Sequence, residues 1–237
     1  MGEARGRARQ PGRMRIICDF DGTITEQDTT DRVLEALADP AWRDLEAQWV
    51  AAEITAAECM RRQIALIRGG QEDLDAVLDG AALDPGFRDF VVWAERRGLP
   101  VSVVSDGVDY FITRILRRHG LAHLPVAANR LAGEPGAWRL DQPWSRAGCA
   151  AGSGVCKCDV TGPWSADRPN TVYVGDGRSD FCVSGRADLL FAKGALADYA
   201  AARGQAFLPF ETFHDVTSAL ARLTGELPAD LDRAASL

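Results

Sequence analysis

The sequence lacks the long apolar stretch that a helix needs to cross a bilayer. It also lacks an excess of positive charge, since its formal net charge is -7, and this argues against a general binder of nucleic acids or anionic membranes. The basic residues within positions 1–13 have no apolar segment behind them, so these positions are predicted to be a disordered basic extension and not a secretion signal. We therefore expect a cytoplasmic protein that binds neither a membrane nor nucleic acid.

Cysteine and histidine are both scarce, with six cysteines and three histidines in 237 residues. Six cysteines are too few for a disulfide scaffold in a chain of this length. Three of them, Cys149, Cys156 and Cys158, cluster around Lys157. These cysteines could form a structural Zn²⁺ site or a disulfide that closes a loop. Their irregular spacing favours the third alternative, reduced thiols in a loop that positions the lysine.

Short apolar runs are present, and helical patterns separate them. The runs are typical of buried strands, and one intervening helix, Val108–His119, places its apolar residues on one face and ends at Gly120. Strands that alternate with helices predict an α/β fold with a doubly wound parallel sheet. The predicted strands are Met14–Cys18, Leu99–Val104, Thr171–Val174 and Leu189–Ala192.

The segment between the first two strands contains no convincing strand and is predicted to form four helices. Four helices are too many for a simple crossover, so residues 29–84 are predicted to be an inserted helical cap, and residues 14–28 and 85–237 the core. A further departure is Asn129–Trp144, whose Gly-Glu-Pro-Gly centre predicts a turn or small hairpin. The predicted helices of the cap are Thr30–Ala38, Ala41–Ala52, Thr55–Ile67 and Gln71–Asp79.

Polar residues follow each of the first three predicted strands. Asp19 and Asp21 follow the first strand, a Ser-Asp-Gly segment at 105–107 follows the second, and Asp176 follows the third. A single acid in such a place is often a helix cap, but ligands of open α/β sheets bind at the carboxyl ends of the strands, where these residues meet. Clustered carboxylates repel one another unless a cation lies among them, and their oxygen atoms favour Mg²⁺.

These residue types are suited to phosphoryl transfer. Asp19 is placed to attack phosphorus and form an aspartyl-phosphate, and Asp21 is placed to protonate the leaving oxygen and later deprotonate water. Lys157 and the metal supply positive charge to the transferring phosphoryl group. Ser105 and the backbone N–H groups that follow it offer neutral donors to the remaining oxygens.

Taken together, the motifs resemble the haloacid dehalogenase superfamily over essentially all of the chain after Met14. The motifs are "DFDGT", "SDG", a lone lysine and "GDGRSD", in that order. The resemblance implies a Rossmann-like catalytic core in which Asp19 is the nucleophile and Asp21 the general acid and base. It further implies that Ser105 binds phosphate and that Lys157 is the lysine of the third motif.

The same resemblance implies a magnesium site. Asp176 matches the metal-binding acid of the fourth motif, and the backbone carbonyl of Asp21 completes the set of ligands. Asp180 matches a further acid of that motif, either a ligand or a neighbour of the ligands. The residues predicted to form the metal site are therefore Asp19, Asp21, Asp176 and Asp180.

Two features of the sequence indicate which branch of the superfamily this chain resembles. Dehalogenases lack the second acid of the first motif, so Asp21 favours a phosphatase, and the helical insertion is similar to that of the phosphoserine-phosphatase-like branch. The segments "ICDFDGTIT", "GFRDFVVWA", "VVSDGVDYFI" and "CKCDV" resemble bacterial MtnX-type phosphatases, which implies 2-hydroxy-3-keto-5-methylthiopentenyl-1-phosphate as the small phosphorylated substrate. Other hypotheses stay open: a phosphatase of phosphoserine or of another sugar or amino-acid phosphate, a phosphomutase, or a non-catalytic phosphometabolite-binding protein. The oligomeric state, monomer or homodimer, is also open.

Contacts to the organic part of the substrate are less specific. Asp28 lies where phosphoserine phosphatases have a substrate-contacting glutamate. Arg62 resembles a cap arginine that meets a substrate carboxylate, with a solvated helix-face arginine as the alternative. Trp42 and Trp49 share a helix face and are predicted to pack inside the cap and not to line the substrate. The residues predicted to contact substrate are Asp28, Arg62, Asp106 and Gly107.

Overall fold

A seven-stranded sheet forms the centre of the molecule. The structure is a computed structural model that describes residues 14–162 and 169–225, so the predicted extension at 1–13 lies outside the described residues. The strands are β1 (Met14–Cys18), β2 (Val101–Val108), β3 (Val126–Glu134), β4 (Ala137–Asp141), β5 (Asn170–Gly175), β6 (Leu189–Ala192) and β7 (Leu208–Pro209). Their order across the sheet is β4-β3-β2-β1-β5-β6-β7, and all neighbours are parallel except β3 and β4. The predicted α/β fold with a doubly wound parallel sheet is confirmed.

Helices connect the strands and flank the sheet. Within the described ranges, no helix is both long enough and apolar enough to span a membrane. The helices are α1 (Thr29–Leu37), α2 (Trp42–Val50), α3 (Ala56–Ile64), α4 (Gln71–Leu78), α5 (Phe87–Arg96), α6 (Asp109–Arg118), α7 (Lys157–Val160), α8 (Phe181–Ser184), α9 (Gly194–Ala202) and α10 (Phe213–Leu223).

The sheet is covered on both faces because side chains of a strand point alternately to either side. On β1, Ile16 and Cys18 belong to a large hydrophobic cluster that includes residues of α5, α6 and α10, whereas Ile17 belongs to a second cluster with residues of α9. All three side chains are buried. Burial on both faces explains why the last three residues of β1, at 16–18, are a continuous apolar run without alternation.

The strand order changes direction at β1. Cys18 pairs with Val103 of β2 on one side and with Val174 of β5 on the other. Open sheets of this kind have a crevice at the carboxyl ends of the strands where the order reverses. Asp19 and Asp176, which follow β1 and β5, therefore lie at this crevice.

The boundaries of β2 and β3 differ from the prediction. β2 begins at Val101 and continues to Val108, with a shift in its register against β3 between Val104 and Val108. The Ser-Asp-Gly segment at 105–107 is therefore an irregular part of the strand and not a loop after it. β3 begins before the predicted hairpin, at Val126, because it first pairs in parallel with β2 and then antiparallel with β4.

The helices α1–α4 lie between β1 and β2, close to the four helices that the sequence predicts. Asp28 caps the start of α1 by accepting a hydrogen bond from the Asp31 N–H at 2.9 Å. Buried residues of these helices, among them Leu34, Ile64 and Leu74, belong to the same large hydrophobic cluster as β1. Burial of each such side chain contributes about 1.5–3 kcal/mol. The division into a cap at 29–84 and a separate core stays a prediction.

Polar contacts also attach the helical segment to the sheet. Arg114 of α6 pairs with Asp79 at 2.8 Å and with Asp75 at 2.9 Å, at the end of α4 and within it. From the hairpin side, Gln142 Nε2 donates a hydrogen bond to the Ala57 carbonyl at 2.9 Å. The helices are thus held over the crevice from two sides.

Candidate active site

A buried lysine lies at the centre of the crevice. The Lys157 side chain, in a residue only 1% exposed, places Nζ 2.8 Å from Asp19 Oδ1 and 2.6 Å from Asp180 Oδ1. Burial alone would lower the pKa of Lys157, but the charges of Asp180 and Asp19 raise it above its usual value. The side chain is therefore a fixed positive charge between two carboxylates.

Asp180 is held by four hydrogen bonds. Oδ1 accepts from Lys157 Nζ at 2.6 Å and from the Tyr173 hydroxyl at 2.5 Å. Oδ2 accepts from the N–H groups of Asp176 at 3.2 Å and Gly177 at 3.1 Å. These contacts fix the loop after β5 relative to the lysine.

Asp19, Asp176 and Asp180 form a cluster of three acids, whose carboxylate oxygens lie within 4.8 Å of one another. Burial, followed by the charge of Asp180, raises the pKa of Asp19 well above its usual value, while Lys157 opposes this. Burial also raises the pKa of Asp176. One ammonium cannot balance three carboxylates, and the donors are all oxygens, so the site fits a hard divalent cation such as Mg²⁺.

Asp21 lies beside this cluster but is not part of it. Its Oδ1 accepts hydrogen bonds from the Thr29 N–H at 2.8 Å and from the Thr29 hydroxyl at 2.5 Å, at the first residue of α1. Burial and then the charge of Asp28 raise the pKa of Asp21 to about 8. The start of α1 therefore orients this carboxyl group toward the crevice.

The irregular segment of β2, residues 105–107, also lines the cavity at the crevice. Ser105 is buried, and its Oγ accepts a hydrogen bond from the Gly107 N–H at 2.9 Å. Asp106 Oδ1 accepts from the Val155 N–H at 2.9 Å, and Asn129 Nδ2 donates to the Asp106 carbonyl. Asp106 therefore attaches β2 to the loop that precedes Lys157, the first residue of α7.

A cavity of about 640 Å³ opens above these residues. Asp19, Asp21, Ser105 and Asp176 line its floor at the strand ends. The facing wall comes from the helical segment and includes Asp28, Thr30, Asp31, Glu46, Trp49 and Met60. A small molecule in the cavity would touch both the acids of the sheet and the helices.

All the predicted site residues except Arg62 lie together at the cavity. Most of them line it, and Lys157 and Asp180 are buried beneath its floor. The Arg62 guanidinium lies 3.5 Å from Glu58 on the outside of α3, with 46% of the side chain exposed, and Arg62 does not line the cavity. The position of Arg62 therefore matches the alternative interpretation, a solvated arginine on the helix face, and not a contact with a substrate carboxylate.

The two tryptophans differ in their positions. Trp42 is buried as predicted, whereas Trp49 lines the cavity and does not pack inside the helical segment.

Two residues of this arrangement are not among the predicted site residues. Tyr173 was predicted only as part of a strand, yet its hydroxyl binds Asp180. Thr23, within the "DFDGT" segment, donates a hydrogen bond from its hydroxyl to Asp176 Oδ1 at 2.5 Å. The hydroxyl of a tyrosine within a buried strand was the signal that the sequence offered for the first contact.

The cysteines show no metal site. All six thiols are free, and in the described part of the chain the three-acid cluster is the only group of potential ligands close enough to hold an ion. The structure therefore does not support the Zn²⁺ site considered at Cys149, Cys156 and Cys158. Reduced thiols near Lys157 stay a prediction.

Comparison with known proteins gives the family. The family of haloacid dehalogenase-like hydrolases matches residues 16–184. A protein of Brevibacillus brevis named 2-hydroxy-3-keto-5-methylthiopentenyl-1-phosphate phosphatase is 30% identical over 219 residues, covering 90% of this chain and 97% of that protein. The protein of the same name from Geobacillus kaustophilus is 31% identical, covering 88% of this chain and 96% of that protein.

Solved structures agree on the fold. A substrate-bound phosphoserine phosphatase matches with a TM-score of 0.64 at 19% identity, over 89% of this chain and 99% of that one. At this identity the likeness concerns the fold alone. The match over residues 16–184 and the two relatives show that the chain belongs to the haloacid dehalogenase-like hydrolases, as a phosphatase.

Proposed function

We propose that this phosphatase is a Mg²⁺-dependent phosphomonoesterase that acts through an aspartyl-phosphate on 2-hydroxy-3-keto-5-methylthiopentenyl-1-phosphate. The observation that carries the reaction type is the carboxylate of Asp19 at the floor of the cavity, held by Lys157 and adjacent to two further acids. The substrate is taken from the names of the relatives, which match this chain over most of its length.

The geometry supports Asp19 as the nucleophile. Its Oδ1 accepts hydrogen bonds from Lys157 Nζ at 2.8 Å and from the Phe20 N–H at 2.8 Å. The second oxygen, Oδ2, is left for attack on phosphorus, which forms a carboxyl–phosphate bond and breaks the bond to the leaving oxygen. Water then hydrolyses this intermediate and releases phosphate.

Asp21 is the proposed proton carrier. It lines the cavity two residues beyond the nucleophile, and Thr29 fixes its orientation. In the first step it donates a proton to the leaving oxygen, and in the second it takes a proton from the attacking water. The two steps return Asp21 to its starting state.

The phosphoryl oxygens need positive charge and donors. A bound Mg²⁺ supplies charge stabilisation there, and the residues proposed to hold it are Asp19, Asp176 and the backbone carbonyl of Asp21. Because Asp180 already accepts four hydrogen bonds, we propose that it positions Lys157 and the loop after β5 and leaves ligation to the others. Ser105 is the proposed neutral donor.

Phosphate release tests the reaction and its substrate together. We expect Mg²⁺-dependent release of inorganic phosphate from 2-hydroxy-3-keto-5-methylthiopentenyl-1-phosphate, with EDTA reducing the rate at least about 100-fold and added Mg²⁺ restoring it. Mg²⁺ is also expected to raise the melting temperature, because it relieves repulsion within the three-acid cluster. Release without a metal would contradict the metal dependence. A phosphorylated product in place of free phosphate would identify a mutase, and a much higher kcat/KM for phosphoserine would contradict the substrate.

Gly107 is expected to tolerate no side chain. A Cβ atom at this position would lie 2.5 Å from Asp21 Oδ2 and 3.1 Å from Ser105 Oγ. Gly107→Ala should therefore displace two proposed site residues and reduce kcat/KM about 10- to 100-fold. The matched control is Gly185→Ala, because a Cβ atom there meets nothing within 4 Å and the glycine φ is −65°. Equal activity of the two variants would contradict the predicted clash of a side chain at position 107 with Asp21 and Ser105.

A further inference from the structure

The wall of the cavity opposite the strand ends is acidic. Three residues, Asp28, Asp31 and Glu46, contribute carboxylates to it, and we name them the acidic wall. Asp28 and Asp31 belong to the start of α1, and Glu46 to α2. Glu46 Oε2 accepts a hydrogen bond from Gln63 Nε2 at 3.0 Å, which fixes its carboxylate against α3.

The acids of this wall are close enough to influence one another. Partial burial, followed by the charges of Asp28, Glu46 and Glu35, raises the pKa of Asp31 to about 6. Among the described residues, no basic side chain of the helices α1–α4 lines the cavity, and Arg62 lies 3.5 Å from Glu58. The wall therefore presents negative charge to whatever occupies the cavity.

The one basic residue among the described residues that line the cavity belongs to the other side. Arg178 follows β5, and its guanidinium carbon lies 5.4 Å from the ring centroid of Trp49, across the cavity on α2. This cation–π contact connects the two walls.

The same wall has features that suit an uncharged ligand. The Thr30 side chain is buried, with 4% of the residue exposed, and its hydroxyl has no hydrogen-bond partner among the described residues. Thr30 lines the cavity together with Met60 and Trp49. A hydroxyl without a partner would donate a hydrogen bond to a carbonyl or hydroxyl oxygen of a ligand, and the two large side chains offer apolar surface.

We propose that the acidic wall selects the substrate class: it rejects phosphomonoesters whose organic part carries a carboxylate and admits those whose organic part carries uncharged oxygens. The inference rests on the proposed function, since it takes the phosphate to be bound at Asp19. Asp31 and Glu46 are the specificity-determining residues, because a carboxylate that extends from the phosphate toward the helices would approach their like charges.

Two ligands that differ only in this group test the proposal. 3-Phosphoglycerate and glycerol 3-phosphate have the same skeleton, but the first ends in a carboxylate and the second in an alcohol. Each is used as a competitive inhibitor of the Mg²⁺-dependent hydrolysis of 4-nitrophenyl phosphate. We expect the inhibition constant of 3-phosphoglycerate to be at least about 10-fold higher than that of glycerol 3-phosphate.

Removing charge from the acidic wall should reduce the ratio of the inhibition constant of 3-phosphoglycerate to that of glycerol 3-phosphate. Asp31→Asn and Glu46→Gln are each expected to reduce it about threefold, and the double variant about 10-fold, chiefly through tighter binding of 3-phosphoglycerate. Asp31→Asn is the cleaner single variant, because Glu46 also holds Gln63. The matched control is Glu58→Gln, which removes one negative charge from α3 at a residue that does not line the cavity and should leave the ratio within about twofold.

The outcomes separate this inference from the proposed function. Equal constants for the two ligands, no inhibition by either, or a ratio that the double variant leaves unchanged would overturn the selection by the acidic wall. Loss of the ratio in Glu58→Gln as well would assign the effect to overall charge and overturn the roles of Asp31 and Glu46. A failure of the proposed function would be seen differently, as 4-nitrophenyl phosphate hydrolysis that does not depend on Asp19.

Discussion

Replacing Asp19 with asparagine is expected to reduce phosphate release at least about 10⁴-fold, because the variant has no carboxylate to attack phosphorus. The amide keeps the size of the side chain, and its oxygen can still accept hydrogen bonds from Lys157 and the Phe20 N–H. Binding of inorganic phosphate should therefore be affected much less than turnover. The measurements are kcat for an aryl phosphate and the inhibition constant of inorganic phosphate.

The control for this variant is an acid of similar charge outside the cavity. Asp141 on β4 is exposed and lies 3.4 Å from Arg139, so Asp141→Asn should keep full activity. Thermal unfolding of Asp19→Asn would show whether the fold is intact. A folded Asp19→Asn protein with undiminished, Mg²⁺-dependent turnover would exclude Asp19 as the nucleophile.

Replacing Lys157 with methionine is expected to affect both activity and stability. Turnover should fall about 10³-fold, because the variant lacks the positive charge beside the phosphoryl group. In metal-free buffer the free energy of unfolding should fall by about 3 kcal/mol, because the carboxylates of Asp19 and Asp180 stay buried without their partner. Urea unfolding and steady-state kinetics measure the two effects.

A second substitution separates the effects. In Lys157→Met combined with Asp180→Asn, one of the unpaired buried charges is removed, so stability should recover in part while turnover stays low. Arg139→Met, at an exposed residue of β4, removes a positive charge without touching the site and should change neither quantity. Unchanged stability in Lys157→Met would contradict the buried pairing.

The fold could be predicted from the sequence where the pattern of side chains depends on burial alone. Residues 16–18 of β1 are buried on both faces, and such a segment is recognisable as a continuous apolar run. The start of β3 was missed because it consists largely of small residues, and its pairing with β2 is a property of the assembled sheet. The irregular register of β2 also depends on two strands and leaves no local signal.

The candidate site could be predicted to a similar extent. Asp19 and Asp176 are identifiable because both directly follow strands of one parallel sheet, whose carboxyl ends must lie side by side. The spacing of apolar residues along a helix does not determine exactly which of its side chains face the cavity and which face solvent or the interior. Arg62 and Trp49 show this, because the first was expected in the cavity and lies outside, while the second was expected in the packing and lines the cavity.

The hydrophobic cluster that β1 shares with Leu34, Ile64 and Leu74 has a consequence for how this enzyme can diverge. Excising the whole helical segment would expose apolar side chains of this shared cluster to water, so we expect its removal to destabilise the rest of the protein. The shared interior also favours cooperative unfolding of sheet and helices as one unit. Asp31 and Glu46 line the cavity and lie outside this cluster, so we expect substitutions there to change substrate range at little cost in stability.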